Sequence, residues 1–194
     1  MDTTRRIRDI ERPLRAVGDL LAAAGQRVGI VILGGAALNL LGVTDRATRD
    51  VDVLALARGA RSRLARPEPL PAALTSAAAR VARDLGLAPD WLNAGVASQW
   101  DTGLPRGLAG RLHWRRYGGL DVGVVDRRDL VFFKLYAAAD DTGPGSVHVG
   151  DLLALRPSDV ELTAAAAWVR KHDPSPAMAA ALEQAIAYVR GPRV

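Results

Sequence analysis

The chain contains no cysteine. Disulfides, thiolate metal sites and thiol nucleophiles are therefore excluded, and cysteine usage is compatible with the cytosol. Lysine is almost as scarce: of the 26 basic residues only Lys134 and Lys171 are lysine. No stretch approaches the roughly 20 apolar residues that span a bilayer. The first fifteen residues, Met1 to Arg15, are charged throughout and lack the apolar core of a signal peptide. The expectation is a soluble, cytoplasmic protein with no membrane association. With 194 residues, 49% of them hydrophobic, the chain suits one domain, or one domain with a helical appendage.

The formal charge is +5 and the sequence pI about 10.4. A basic surface attracts phosphate backbones, so a polyanionic partner is permitted. The abundance of Ala, Gly and Arg would follow equally from a GC-rich coding bias. Against that background a surviving lysine such as Lys134 marks a position where arginine does not serve.

Apolar residues at Ile7, Ile10, Leu14, Val17, Leu20 and Leu21 recur at three and four, predicting an amphipathic helix over 7–24. Residues 28–33 are mainly β-branched and run into Gly34-Gly35, the pattern of a buried strand ending in a tight turn. A short helix over 36–41, closed by Gly42, follows. Residues 50–56 begin Asp-Val-Asp and become wholly apolar, a strand with one wet face at its start. A connection over 59–71 leads to a helix over 72–85, and 89–105 has no assigned structure. Strands over 111–117 and 120–125 form a hairpin about Gly118-Gly119. Helices are predicted over 127–139, 149–155, 158–171 and 176–189, with Ser158 and Glu161 as a capping box. The implied organisation is a core over 1–126 and a helical part over 127–194.

Asp50 and Asp52 are one residue apart on a strand and so share a face. Like charges at that spacing, at the edge of an apolar stretch, call for a compensating cation, and Mg2+ prefers such oxygen ligands together with substrate phosphates. The bland alternative is two solvated acids paired to Arg46 or Arg49. Gly34-Gly35, closing a strand and opening a helix, would bring backbone N–H groups close to an anion such as a triphosphate. Lys134 lies in Val131-Phe132-Phe133-Lys134-Leu135-Tyr136, which would desolvate its ammonium unless an anion or carboxylate is near.

Leu33-Gly34-Gly35-Ala36-Ala37-Leu38, followed by Arg46-Ala47-Thr48-Arg49-Asp50-Val51-Asp52-Val53, resembles the nucleotidyltransferase superfamily pattern of a glycine pair and a metal-binding Asp-x-Asp strand. More closely it resembles the AbiEii and MenT-like toxin nucleotidyltransferases, in which an Arg-x-Thr/Ser segment precedes that strand. Leu130 to Ala138, with Lys134, and then Asp151-Leu152-Leu153-Ala154-Leu155 resemble the second half of their signature. The likeness covers about residues 28–160. It departs from the pattern at Asp140-Asp141, where an arginine is usual, and at Val149-Gly150 before Asp151. It implies an α/β, polymerase-beta-like fold, with a small mixed sheet flanked by helices and a helical C-terminal part. It also implies transfer of NMP from an NTP, with Mg2+ on Asp50 and Asp52. Gly34, Gly35, Thr48 and Arg49 would then bind nucleotide, and Lys134 and Asp151 would serve catalysis. The third carboxylate is either Asp121, on a predicted strand, or Asp151. By the same resemblance the acceptor is the tRNA 3′ end and the protein a toxin with a cognate antitoxin. The rival readings are a small-molecule nucleotidyltransferase and a non-catalytic binding or antitoxin-like module. Trp91, Trp100 and Trp114 are core residues or base platforms, His148 a loop residue or substrate contact, and Arg111, Arg115 and Arg116 solvated or phosphate-binding.

Overall fold

The computed structural model describes residues 7–58, 63–141 and 146–191, and divides into two compact units, Met1–Val125 and Asp126–Val194. The first unit is α/β. In chain order its elements are α1 (Glu11–Ala23), β1 (Val28–Leu33), α2 (Gly34–Leu40), β2 (Val51–Arg58), β3 (Arg63–Ala65), α3 (Ala72–Leu85), β4 (Leu92–Asn93), α4 (Ala97–Thr102), α5 (Leu108–Arg111), β5 (His113–Tyr117) and β6 (Leu120–Val124).

The strands form one mixed sheet in the order β3-β2-β1-β6-β5, with the two-residue β4 added alongside the start of β2. β1 runs antiparallel to β2 and parallel to β6. These central strands are apolar on both faces because both are covered: Ile30, Val31, Ile32, Val122 and Val124 have no exposed surface. A bulge in β2 keeps its faces in phase with β1, since Val31 opposes Ala55 while Ile32 opposes Val53.

Residues paired across strands share a face, which sorts the sheet. Arg115 and Tyr117 lie on the side of α1: Arg115 donates to the Glu11 carboxylate and to the Leu40 carbonyl. Gly18 makes that approach possible, because a Cβ there would lie 1.8 Å from the Tyr117 carbonyl oxygen. The opposite face carries Asp52, Leu33, Val31, Gly123, Trp114, Asp121 and Arg116, following the register. Trp114 lies over Gly123, the indole occupying the space a side chain would fill, with ring carbons 3.0 to 3.1 Å from an added Cβ.

The second unit is helical: α6 (Arg127–Asp140), α7 (Val147–Leu155), α8 (Asp159–His172) and α9 (Pro176–Arg190). Asp126, Ser146, Ser158 and Ser175 each accept a hydrogen bond from the first turn of the helix they open. The Ser158–Glu161 capping box is formed. Among the described residues no helix is long and apolar enough to cross a membrane.

Candidate functional site

The site in the first unit is built where β1 ends. Leu33 opposes Asp52 across the β1–β2 ladder, and Asn93 flanks Asp52 on the other side. Asp50, one residue before β2, and Asp52 are both half-buried, whereas Val51 and Val53 are fully buried. That alternation puts the two acids on one face. Gly34 turns the chain at φ +75°, and a Cβ there would lie 2.6 Å from the Asp52 Oδ2. Glycine is thus required both by backbone conformation and by the carboxylate that abuts it. Gly35 packs in the same way on Thr48, whose Oγ1 would be 2.9 Å from an added Cβ. α2 has only seven residues, so the close backbone approach of the glycine pair matters more here than a helix dipole.

The loop carrying Thr48 is held at several points. The Asn39 Nδ2 donates to the Arg46 carbonyl at 3.1 Å, and the Arg46 N–H donates to the Thr44 hydroxyl at 3.1 Å. Thr48 and Ile7 exchange backbone hydrogen bonds of 2.7 and 2.9 Å, and the Thr48 hydroxyl donates to the Asp50 carbonyl at 3.1 Å. Arg49 is exposed. The sequence reading left Arg46 and Asn93 out of the site. The Arg46 guanidinium reaches within 3.8 Å of the position a Gly35 Cβ would take, and the Arg46-Ala47-Thr48 run was the available signal. Nothing in the sequence marks Asn93, because its place depends on the β2–β4 pairing.

Asp121 does not join this group. It opposes Gly29, at the start of β1, whereas Asp52 opposes Leu33 at its end. Four residues along the strand separate them by roughly 13 Å, with two strand spacings across the sheet besides. Asp121 is buried and engaged by Arg27 at 3.2 Å and Arg116 at 3.0 Å. The position that would set a third carboxylate beside Leu33 and Asp52, one residue past β6, is Val125, whose N–H donates to the Ile32 carbonyl at 3.1 Å. Among the described residues no three His, Asp or Glu side chains gather closely enough to hold a metal ion. The pair Asp50 and Asp52 remains, which fits Mg2+ held by carboxylates and substrate phosphates together.

In the second unit the structure brings Lys134 and Asp151 together, Nζ to Oδ2 at 2.7 Å, with side chains 9% and 4% exposed. The apolar setting of Lys134 is thus answered by a carboxylate on the next helix. Asp129, which sequence reasoning passed over, is also buried on α6. Arg127 donates to the Leu155 carbonyl at 2.8 Å and to the Glu161 carboxylate, tying the start of α6 to the end of α7 and the start of α8. Burial alone would raise the Glu161 carboxyl. It is outweighed by the Ser158 N–H, the Arg127 charge and the Ser158 hydroxyl, which hold Glu161 below its ordinary value.

The remaining candidates have other partners. Trp91 is fully buried and its Nε1–H donates to the Ala78 carbonyl at 3.0 Å, so it is a core residue. Trp100 and Trp114 are half-buried. Arg111 donates to the Arg106 carbonyl at 2.8 Å. Arg115 and Arg116 hold Glu11 and Asp121. The N–H of His148 donates to Ser146 in the first turn of α7.

Residues 13–143 match the family described as a nucleotidyltransferase of unknown function (DUF6036). The chain belongs to this family. The match takes in the glycine pair, Asp50, Asp52, the whole of the sheet and Lys134, and ends before Asp151. The mixed sheet with flanking helices and a helical C-terminal part accords with a nucleotidyltransferase fold. No curated protein and no solved structure matches the chain.

Proposed function

We propose that the protein is a metal-dependent nucleotidyltransferase that moves an NMP from an NTP to an acceptor hydroxyl, by resemblance to the AbiEii and MenT-like enzymes the 3′ end of a tRNA. The observation that carries the reading is the contact of the glycine pair with the Asp52 carboxylate and the Thr48 hydroxyl at the end of β1. Asp50 and Asp52 would hold Mg2+, which when bound supplies charge neutralisation for the triphosphate. Gly34 and Gly35 lack side chains where phosphate oxygens would approach, Thr48 is fixed beside them, and Arg46 and Arg49 would add positive charge. The acceptor oxygen bonds to the α-phosphorus, the bond from that phosphorus to the bridging oxygen breaks, and pyrophosphate departs. The hydroxyl proton leaves to solvent; the base role that the resemblance gives Asp151 is not taken up, because its carboxylate is closed by the Lys134 ammonium at 2.7 Å. Lys134 and Asp151 neutralise each other, so the pair enters as a unit that positions α6 and α7. Action as a toxin restrained by a cognate antitoxin completes this reading.

The test is incubation with Mg2+, each labelled NTP in turn and total bacterial tRNA. Label should enter tRNA with the wild type and fall by about a hundredfold or more in Asp52→Ala, the scale of losing one group that stabilises transition-state charge. Transfer to a small hydroxyl compound in place of tRNA would move the acceptor to the antibiotic-modifying type. One observation favours a second reading, a non-catalytic binding module: Val125 occupies the position of a third carboxylate. That reading is chosen if no NTP gives transfer and calorimetry shows no Mg2+–NTP binding.

A further inference from the structure

Ile7, Pro13, Leu85 and Leu87 line a cavity of about 310 Å³ where the start of α1 meets the end of α3, together with Arg8, Asp9 and Arg12. Both arginines are exposed, and among the described residues neither has an ion-pair partner, unlike Arg15, Arg27, Arg66, Arg115 and Arg116. The Asp9 carboxylate beside them accepts, through Oδ1, from the N–H groups of Glu11 at 3.1 Å and Arg12 at 3.3 Å. The cavity therefore joins four apolar residues to two arginines and one aspartate, a net positive charge. Its volume is at the small end of the roughly 300–1,000 Å³ of ligand clefts. Ile7, Arg8 and Arg12 precede residue 13, where the family match begins, so this wall lies outside the shared segment.

We propose that this cavity binds a small phosphate monoester with an apolar body, and that its occupancy is felt at Thr48. Two guanidiniums suit the dianionic phosphate, since each can offer paired N–H donors to its oxygens. The proposed nucleotide site lies elsewhere, at Gly34, Gly35, Thr48, Asp50 and Asp52, and the connection between the two places is Ile7. It lines the cavity while its backbone exchanges hydrogen bonds of 2.7 and 2.9 Å with Thr48. A ligand that shifts Ile7 must strain or shift those bonds, and Thr48 rests on Gly35. The binding step does not depend on the protein being a transferase.

The test uses the full chain with phenyl phosphate, inorganic phosphate and phenol as probes in titration calorimetry. Phenyl phosphate should bind more tightly than either of its parts. Arg8→Gln and Arg12→Gln should each weaken it by about tenfold or more, the worth of a lost charge-assisted hydrogen bond. Both positions are exposed, so the variants should fold normally. Phosphate adsorbed at the glycine pair would survive both substitutions, and Asp52→Ala should leave this affinity unchanged. Absence of phenyl phosphate binding, equal affinity in the variants, or equal affinity for inorganic phosphate would overturn the site. Nitrogen–proton NMR should show the Thr48 amide shifting on saturation, and saturation with that amide unmoved would overturn the coupling.

Discussion

Replacing Lys134 by Met should be among the most damaging single changes in the second unit, and replacing its partner as well should undo most of the damage. The ammonium and the Asp151 carboxylate are 2.7 Å apart with side chains 9% and 4% exposed. Neither has water enough to solvate it alone. Removing one partner of a buried pair leaves an uncompensated charge and costs about 3–5 kcal/mol, whereas replacing both by apolar groups of similar volume is often neutral or stabilising. Lys134→Met should therefore lower the urea midpoint by about 1.5–2.5 M, taking a slope near 2 kcal/mol per molar. Lys134→Met combined with Asp151→Leu should lie within about 1 kcal/mol of the wild type. Unfolding should be read within the unit, because two units need not unfold as one transition. Trp168, the one tryptophan after residue 126, packs edge-on against Phe132 and Phe133 on α6 at 5.9 and 5.7 Å. Fluorine NMR of a fluorotryptophan-labelled chain reports on it separately from Trp91, Trp100 and Trp114. A single variant within 1 kcal/mol of wild type, or a double variant as unstable as the single one, would refute the buried-pair argument.

Gly34→Ala should cost about 1–3 kcal/mol of stability, because it strains a φ of +75° and drives a Cβ to 2.6 Å from the Asp52 Oδ2. Thermal unfolding measures the loss, and calorimetry with Mg2+–NTP should show binding lost as well. Arg46→Ala should weaken Mg2+–NTP binding by about tenfold with stability little changed, the scale of one charge-assisted hydrogen bond. An unchanged dissociation constant would remove Arg46 from the site. For Glu161, whose carboxyl is held below its ordinary value, the stabilisation is complete at neutral pH and is lost as pH falls through the depressed value. Glu161→Gln should thus cost about 1 kcal/mol at pH 7 and progressively less below about pH 4, read from urea unfolding across pH. A gap that widens toward acid would contradict the sign. Arg156 holds φ +48° at the end of α7, so Arg156→Gly should stabilise the second unit by about 0.5–1 kcal/mol, read as a higher urea midpoint.

Much of this architecture is legible locally. The strand over 28–33 and the helix over 72–85 have the bounds their apolar patterns imply, and the Ser158–Glu161 box opens α8. What stayed illegible depends on distant pairing. β4 is two residues long, too short for alternation to be seen, and exists because the β2 edge pairs with it, the Val51 N–H donating to the Trp91 carbonyl at 2.6 Å just before it. Trp91 itself is placed by a bond to Ala78 in α3, so the irregular appearance of 89–105 reflects docking rather than disorder. β3 is a three-residue edge strand just before Pro67 and Pro69, where strand signals are weakest. α2 starts at Gly34 rather than Ala36 because the positive φ of Gly34 turns directly into the helix.

Asp121 shows how strand and register differ as information. An acid on a strand following the Asp-x-Asp strand is what a third metal ligand looks like in one dimension. The parallel β1–β6 pairing, between segments some 90 residues apart in sequence, decides its depth along the sheet, and a shift of four positions turns a candidate ligand into the partner of Arg27 and Arg116. By contrast the contact of Gly34 with Asp52 joins the ends of adjacent strands linked by a short helix and loop, so a sequence pattern can capture it. The same reasoning bears on Val125→Asp. If the site works with two carboxylates, an added acid beside Leu33 brings a third negative charge onto a face already carrying Asp50 and Asp52, and should destabilise the fold in the absence of metal. If a third ligand is what the site lacks, Mg2+ should restore that stability in a concentration-dependent way, by mass action on the folded state. Thermal unfolding of Val125→Asp with and without Mg2+ separates the two, and restoration by Mg2+ but not by sodium at equal ionic strength would identify the end of β1 as the metal-holding end of the sheet.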